Sequence, residues 1–488
     1  MTDIPRGTAV PKAEPAASNT YFIAWRWHFY AGLYVIPFLT MLALTGLMML
    51  WVSWSSGIGS ERLAVTPSGD LLPASTLQAT AEAAVPGATA FHYLEPLAAD
   101  RVAIVAVAAD GVKTGVALDP YSGEVLRSFD WQAGWYDWLS VIHGTLMLGV
   151  TGDRMIEIAA SLGLIMIATG IYLHWPRGQS GWRGALVPRL SARGRSWWKS
   201  LHGVLGFWVS ALLVVFLVSG LSWSGVWGEK FVQAWNTFPA EKYAPPPSEA
   251  VAVAAGEATH DMAMHEMPMS DDVHAKMNHG AEKEVPWTLE QAPMPASGSL
   301  AGTAAIDGAP DLDSVVGFAR ALGFDGRFQV ALPDGPEGVW TVSHDSASND
   351  GPGAGSDRTL HLDRYTGNVL ADIRYADYSP YAKAMAWGVA FHEGDLGVWN
   401  LVLNTLFCLS VVFLTVSGLV MWWKRRPDRA GRLAAPPRSP ERSLWKGAAV
   451  LVVILSALFP LAGAAIVAAW LLDLTLLRLM PGLKRAVS

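Results

Sequence analysis

Residues 21–54 read YFIAWRWHFYAGLYVIPFLTMLALTGLMMLWVSW, a run in which Arg26 and His28 stand at the head and no charged side chain follows. A second copy, WWKSLHGVLGFWVSALLVVFLVSGLSW at 197–223, aligns with it without a gap around His28 and His202. In both copies a glycine follows the histidine by four residues (Gly32, Gly206) and another by eighteen (Gly46, Gly220). Eighteen residues at about 3.6 per turn make five whole turns, so the histidine and the later glycine share one helix face. Such a stripe predicts a helix that takes a flat cofactor against its backbone.

The 488-residue chain is 51% hydrophobic and carries 23 Trp, a composition that points to a polytopic membrane protein. Uncharged runs at 29–60, 158–173, 203–228, 396–423 and 447–472 mostly reach the ~20 residues of a spanning helix, which predicts five or six spans. The net charge of −7 conceals a segregation: residues 176–200 hold six Lys or Arg and no acid, and 424–446 hold eight against two acids. Residues 55–138 hold ten acids and four bases. Short basic loops stay in the cytoplasm, so the N-terminus is expected inside and both large polar regions outside. The first twenty residues show no apolar core with a cleavage site, and span one is read as an uncleaved anchor. Cys408, the only cysteine, excludes disulfides and cysteine-ligated iron–sulfur clusters within one chain. No GxGxxG joins a strand to a helix and no Walker A sequence occurs, which argues against a nicotinamide or nucleotide-hydrolysing domain. No nucleic-acid partner is expected.

In order along the chain, 1–20 read as a disordered cytoplasmic tail and 21–54 as the first span. Residues 55–138 read as a small external α+β module, with a helix at Ala74–Ala84 and strands at Ala90–Tyr93, Val102–Val107 and Gly115–Asp119 ending in the turn DPYSGEVLRSF. An interfacial aromatic stretch holding His143 and a second span fill 139–176, the basic loop 177–200 follows, and the third span covers 201–227. Residues 228–391 form the second external region. They include a linker at 244–310 rich in Pro, Ala and Gly, then a helix at Asp313–Leu322, strands near Phe328–Ala331, Gly338–His344 and Thr359–Asp363, and the turn DRYTGNVLADI. His392 opens the fourth span (392–423), the second basic loop is 424–446, and 447–480 reads as a hydrophobic hairpin divided at Pro460 and Gly463, with a packing role. The two halves repeat one order of features with parallel topology. Hence His28 and His202 are expected near the cytoplasmic face, and His143 and His392 near the external face.

The RWHFYAGLY and SLHGVLGFW helix starts, the paired turns at Asp119–Leu126 and Asp363–Leu370, and HEG at His392–Gly394 resemble the PepSY-associated transmembrane proteins. That family includes iron-regulated membrane proteins and ferrisiderophore reductases of bacterial inner membranes. The resemblance covers roughly residues 20–427. With the hairpin read above from the residues themselves, the expected fold is an all-α polytopic membrane bundle of four repeat-derived helices plus the C-terminal hairpin, carrying two periplasmic PepSY-like α+β modules. The resemblance also implies b-type haem, two by the count of paired histidines, with His28, His202, His143 and His392 as ligand candidates. The activity implied is that of a transmembrane metalloreductase passing electrons from a separate donor, a reductase or the quinol pool, to a periplasmic metal complex.

Paired imidazoles across a bundle can fill both axial positions of a haem, and ionisable groups placed in lipid call for a partner. The plainer reading is that interfacial histidines snorkel or bond a carbonyl. His174, unrepeated, reads as an interface residue or an alternative ligand. Arg26, Arg177 and Arg425 are candidates for haem propionates, although basic residues there already follow from topology. In the segment 260–280, His260, Met262, Met264, His265, Met267, Met269, His274, Met277 and His279 crowd together. Thioether and imidazole donors favour copper, against the alternative of an exposed linker with incidental Met. PepSY modules are associated elsewhere with peptidase inhibition, which supplies a rival class, a membrane-anchored inhibitor or regulator without redox activity. A repeat-built transporter would need broken helices and charges at mid-membrane, which spans one, three and four lack.

Overall fold

A computed structural model describes residues 19–131, 133–176, 181–228, 289, 295, 297, 305–345, 350–351, 353–426, 433–437, 450, 453–454 and 456–475. Nearly all of the N-terminal tail, Arg177, most of the 244–310 linker and all nine Met and His residues of the 260–280 segment lie outside the described residues, as do Lys484 and Arg485.

The first half of the chain runs α1 (Asn19–Ser56), α2 (Ala74–Ala84), β1 (Thr89–Leu94), β2 (Ala103–Ala109), β3 (Val112–Leu118), β4 (Val125–Asp130), α3 (Trp135–Thr145) and α4 (Gly149–His174). A short α5 (Gly181–Leu186) precedes the second half. That half runs α6 (Arg195–Leu221), α7 (Leu312–Ala321), β5 (Gln329–Ala331), β6 (Trp340–His344), β7 (Arg358–Leu362), β8 (Val369–Arg374), α8 (Pro380–Glu393) and α9 (Val398–Trp423). A last helix, α10 (Pro460–Leu474), has no counterpart among the described residues. The two halves thus repeat element for element.

Four of the five uncharged runs become α1, α4, α6 and α9, the helices long and apolar enough to cross a membrane among the described residues, where five or six spans were expected. They form a four-helix bundle in which α1 packs on α4 and α9, and α6 packs on α4 and α9, so α1 faces α6 across a diagonal. Val35, Leu39, Ala43, Ala160, Leu217, Phe407 and Val411 close its core. Leu44, Met48, Trp208, Val402, Leu406 and Leu409 point outward and exposed, as lipid-facing side chains do. At about 1.5 Å per residue, the 15 residues of α10 reach roughly 22 Å, short of a ~30 Å hydrocarbon core. The helix packs on α4, and Trp227 ties the segment before it by donating from Nε1 to Leu458 O at 3.0 Å and stacking on Phe459. The hairpin expected over 447–480 lies partly outside the described residues.

The two expected α+β modules are not separate bodies. Their strands make one eight-stranded antiparallel sheet in the order β4-β3-β2-β1-β5-β6-β7-β8. The seam pairs His92 with Ala331, Tyr93 with Val330 and Leu94 with Gln329. Aligning FHYL (91–94) with FQVA (328–331) makes Tyr93 and Val330 equivalent, so the repeat axis passes between that pair. The physical reason for the fusion is the edge: each four-stranded half would leave β1 or β5 with unpaired amides, and joining them satisfies both. Each half also has a fourth strand, β4 and β8, where only a turn was expected. The D-x-Y-[ST]-G turn is the hairpin that leads into it. Asp119 Oδ1 accepts from the amides of Tyr121 and Ser122, and Asp363 Oδ1 from those of Tyr365 and Thr366. Gly123 and Gly367 then take φ of +76° and +69°, left-handed values that favour glycine.

Helices α2 and α7 lie together on one face of the sheet, joined by a bond from Ser75 N to Asp313 Oδ1 at 2.8 Å. The other face, with Leu94, Ile104 and Phe129, looks across a cavity of about 380 Å³ to the end of α1 and the start of α3. With cover on both sides, β2 is buried along nearly its whole length.

Candidate site: two imidazole pairs in the bundle

His28 on α1 and His202 on α6 meet across the bundle diagonal, their ring centres 6.4 Å apart and their planes at 88°. His143 on α3 and His392 on α8 meet in the same way, at 6.5 Å and 90°. The four histidines singled out in the sequence are therefore brought together in two pairs, one from each half in each pair. His143 and His392 sit on the short helices that lead into α4 and α9 rather than on the spans themselves.

Each ring rests on a neighbouring helix in one repeated manner. His28 Nδ1 lies 3.2 Å from Thr169 Oγ1 and 3.1 Å from Met166 O. His202 Nδ1 lies 2.8 Å from Ser417 Oγ, His143 Nδ1 2.8 Å from Thr45 Oγ1, and His392 Nδ1 2.8 Å from Ser219 Oγ. In every case the next residue is a glycine facing the same ring. A Cβ at Gly170 would stand 3.1 Å from His28 Cε1, and one at Gly46 would stand 3.3 Å from His143 Cε1. At Gly418 and Gly220 the corresponding distances to His202 and His392 are both 3.7 Å.

This corrects the sequence reading of the glycine stripe. Gly46 and Gly220 do not serve the histidine eighteen residues before them on their own helix. They receive His143 and His392, which arrive from the far end of each half. Gly32 and Gly206, four residues after their histidines, meet Met166 and Leu414 side chains instead. The hydroxyl residues Thr45, Thr169, Ser219 and Ser417 went unnoticed in the sequence. Their signal was present as a hydroxyl–glycine dipeptide in each of the four spans.

A cavity of about 180 Å³ lies against the His143/His392 pair, walled by apolar side chains such as Leu42, Met49, Phe216 and Phe407. Besides the two histidines, its polar lining includes Tyr136, Asp153, Glu157, Glu393 and Asn404. Two of the three acids bind the end of α6: Glu157 accepts from the amides of Val226 and Trp227 at 3.1 and 3.2 Å, and Asp153 pairs with Arg154 and accepts from Gly225 N. They cap the end of α6 and anchor it to α4.

The remaining sequence candidates have other partners. His174 Nε2 donates to Ala185 O at 2.9 Å and its ring packs against Gly203, so it tethers the loop after α4. Arg26 donates to Pro436 O and to Tyr30 Oη. Arg425 donates to Ala434 O and lies over the Trp25 and Phe29 rings. Both arginines fasten residues 433–437 beneath the bundle. Among the described residues no cluster of three or more His, Cys, Asp or Glu has the arrangement of a metal site.

The fit of a haem to each pair can be tested on distances alone. Two metal–imidazole bonds of about 2.0–2.1 Å, with the short reach from ring nitrogen to ring centre, span roughly 6.3 Å between ring centres. Both pairs match that span. At Gly170 and Gly46 the missing Cβ leaves room for the His28 and His143 rings, and Nδ1 is engaged in all four, which makes Nε2 the nitrogen that can ligate.

A family model described as the PepSY-associated TM region matches residues 25–425. No curated protein matches the chain.

Proposed function

Because the chain belongs to the PepSY-associated transmembrane family, we propose that it is a b-type haem protein that carries electrons across the bacterial inner membrane to a metal complex in the periplasm. His28 with His202, and His143 with His392, would each hold one haem. The observation that carries this reading is the twofold occurrence of perpendicular imidazoles at 6.4 and 6.5 Å. Bound there, haem would supply reversible one-electron transfer.

The chain's own residues supply burial, spacing and orientation. Gly46, which receives His143, lies eighteen residues beyond His28 on α1, so the two imidazole levels are roughly 27 Å apart along that helix. That separation approaches the ~30 Å hydrocarbon thickness, which supports one pair near each face. The basic loops after α4 and α9 argue that the His28/His202 face is cytoplasmic. The donor is then a separate reductase or the quinol pool, and the acceptor a ferric siderophore or a cupric ion. The Met and His residues between His260 and His279 support copper involvement through their donor chemistry.

The test is a reduced-minus-oxidised absorption spectrum of the detergent-purified protein, with haem quantified per chain by pyridine haemochrome. Two b-type haems per chain are expected, falling to about one in His28→Ala and in His143→Ala. Absence of haem after haem-replete expression would overturn the reading and favour the anchored regulator.

A further inference from the structure

Each hydroxyl that meets an imidazole has a single proton, and in all four cases its own helix accepts it. Thr45 Oγ1 donates to Met41 O at 2.8 Å and Thr169 Oγ1 to Ile165 O at 2.8 Å. Ser219 Oγ donates to Phe216 O at 3.2 Å and Ser417 Oγ to Leu414 O at 3.0 Å. These are the back-bonds that serine and threonine form inside helices. A hydroxyl whose proton is committed to a carbonyl can only accept from the ring, so the proton between them is the imidazole's own Nδ1–H. His28 gives a separate check, since its Nδ1 also lies 3.1 Å from Met166 O, and a carbonyl cannot donate.

We propose that Thr45–Gly46, Thr169–Gly170, Ser219–Gly220 and Ser417–Gly418 form a positioning set that locks each of the four histidines as the Nδ1–H tautomer, with Nε2 presented as a ligand to haem iron. The hydroxyl fixes the proton and the ring rotation, and at Gly46 and Gly170 the missing Cβ lets the ring lie against the helix backbone. A neutral imidazole in water favours the opposite tautomer, with the proton on Nε2, which cannot ligate. The set thus selects the binding-competent form before any metal arrives. The identity of the ligand rests on the haem reading above, whereas the tautomer assignment does not.

The experiment therefore has two readouts on the full-length protein, with Thr45→Val and Ser219→Ala as variants. In haem-free protein labelled with 15N-histidine, nitrogen shifts report the protonated ring atom, and His143→Gln and His392→Gln assign the signals. Nδ1–H is expected at His143 and His392 in the unmodified chain, and a change to Nε2–H at His143 in Thr45→Val and at His392 in Ser219→Ala. In haem-loaded protein, transfer of haem to excess apomyoglobin should quicken by about 10- to 100-fold in each variant, the usual effect of losing an outer partner of a ligand. Thr45→Ser and Ser219→Thr should restore the slow rate. Nε2–H rings in the unmodified chain, or variants that hold haem as firmly as it does, would overturn the proposal. A chain that binds no haem but shows the expected tautomers would overturn the haem reading alone.

Discussion

Among single residues, the buried titratable groups of the sheet give the chain a pH dependence whose sign can be worked out. Burial holds His92 and His344 at about 4 and His361 at about 3, against a usual 6.5. As pH falls below 6.5 the unfolded chain takes up these three protons and the native chain does not, so stability declines towards pH 4. Asp350 behaves oppositely. Burial, only partly offset by the Arg327 guanidinium, pushes it up to about 8 from 3.8, and burial likewise raises Asp395 to about 7. These carboxyls keep their protons in the native state while the unfolded chain loses them, so their contribution is present at low pH and is lost as pH rises towards 8. Three histidines outweigh two carboxyls below 6.5, and the carboxyls act alone above it. The melting temperature is therefore expected to peak near pH 6.5. Asp350→Asn should flatten the alkaline limb and His361→Gln the acid limb; a thermal scan from pH 4 to 8 checks both, and unchanged limbs would contradict the assignment.

Among elements, the seam between β1 and β5 is the joint on which the sheet depends. β5 is only three residues long and bonds on both sides, to β1 and to β6. Val330→Pro removes a ladder amide in the middle of the sheet and should destabilise it by roughly 3 kcal/mol or more, the scale of proline inside a regular element. Limited proteolysis should then cut between residues 131 and 135 and between 374 and 380 well before the bundle is attacked. Equal resistance in the variant would mean the halves stand alone. The seam was not legible in the sequence, because strand periodicity reports which face is buried but not which strand lies alongside. Four spans and the repeat were legible, since length, hydropathy and the spacing of His28 and His202 from their glycines survive without tertiary context. The pairing partner of each glycine was not, because Gly46 shares a stripe with His28 and yet receives a ring from α3. The hydroxyl–glycine dipeptides stood in plain view, but only the fold brings an imidazole to each.

For the whole molecule, the arrangement predicts that the sheet and the basic loops lie on opposite sides of the membrane. Cys408 is the only cysteine and is buried in the bundle, so engineered cysteines can be read almost without background. Asp110→Cys, at the exposed β2–β3 hairpin, should react with a membrane-impermeant maleimide in cells whose outer membrane has been opened. Ser191→Cys, in the loop before α6, should react only after the inner membrane is broken. The reverse pattern would invert the assignment of faces. The fused sheet also bears on how the chain is made. Strand β1 emerges with the first half, but its partner β5 follows roughly 235 residues later, after α4 and α6. At about 5–20 residues per second of synthesis, the nascent first half waits roughly 10 to 50 s with a bare edge. Biogenesis therefore passes through a half-built stage open to mispairing with another copy, and a chaperone on the far side of the membrane would find its client there.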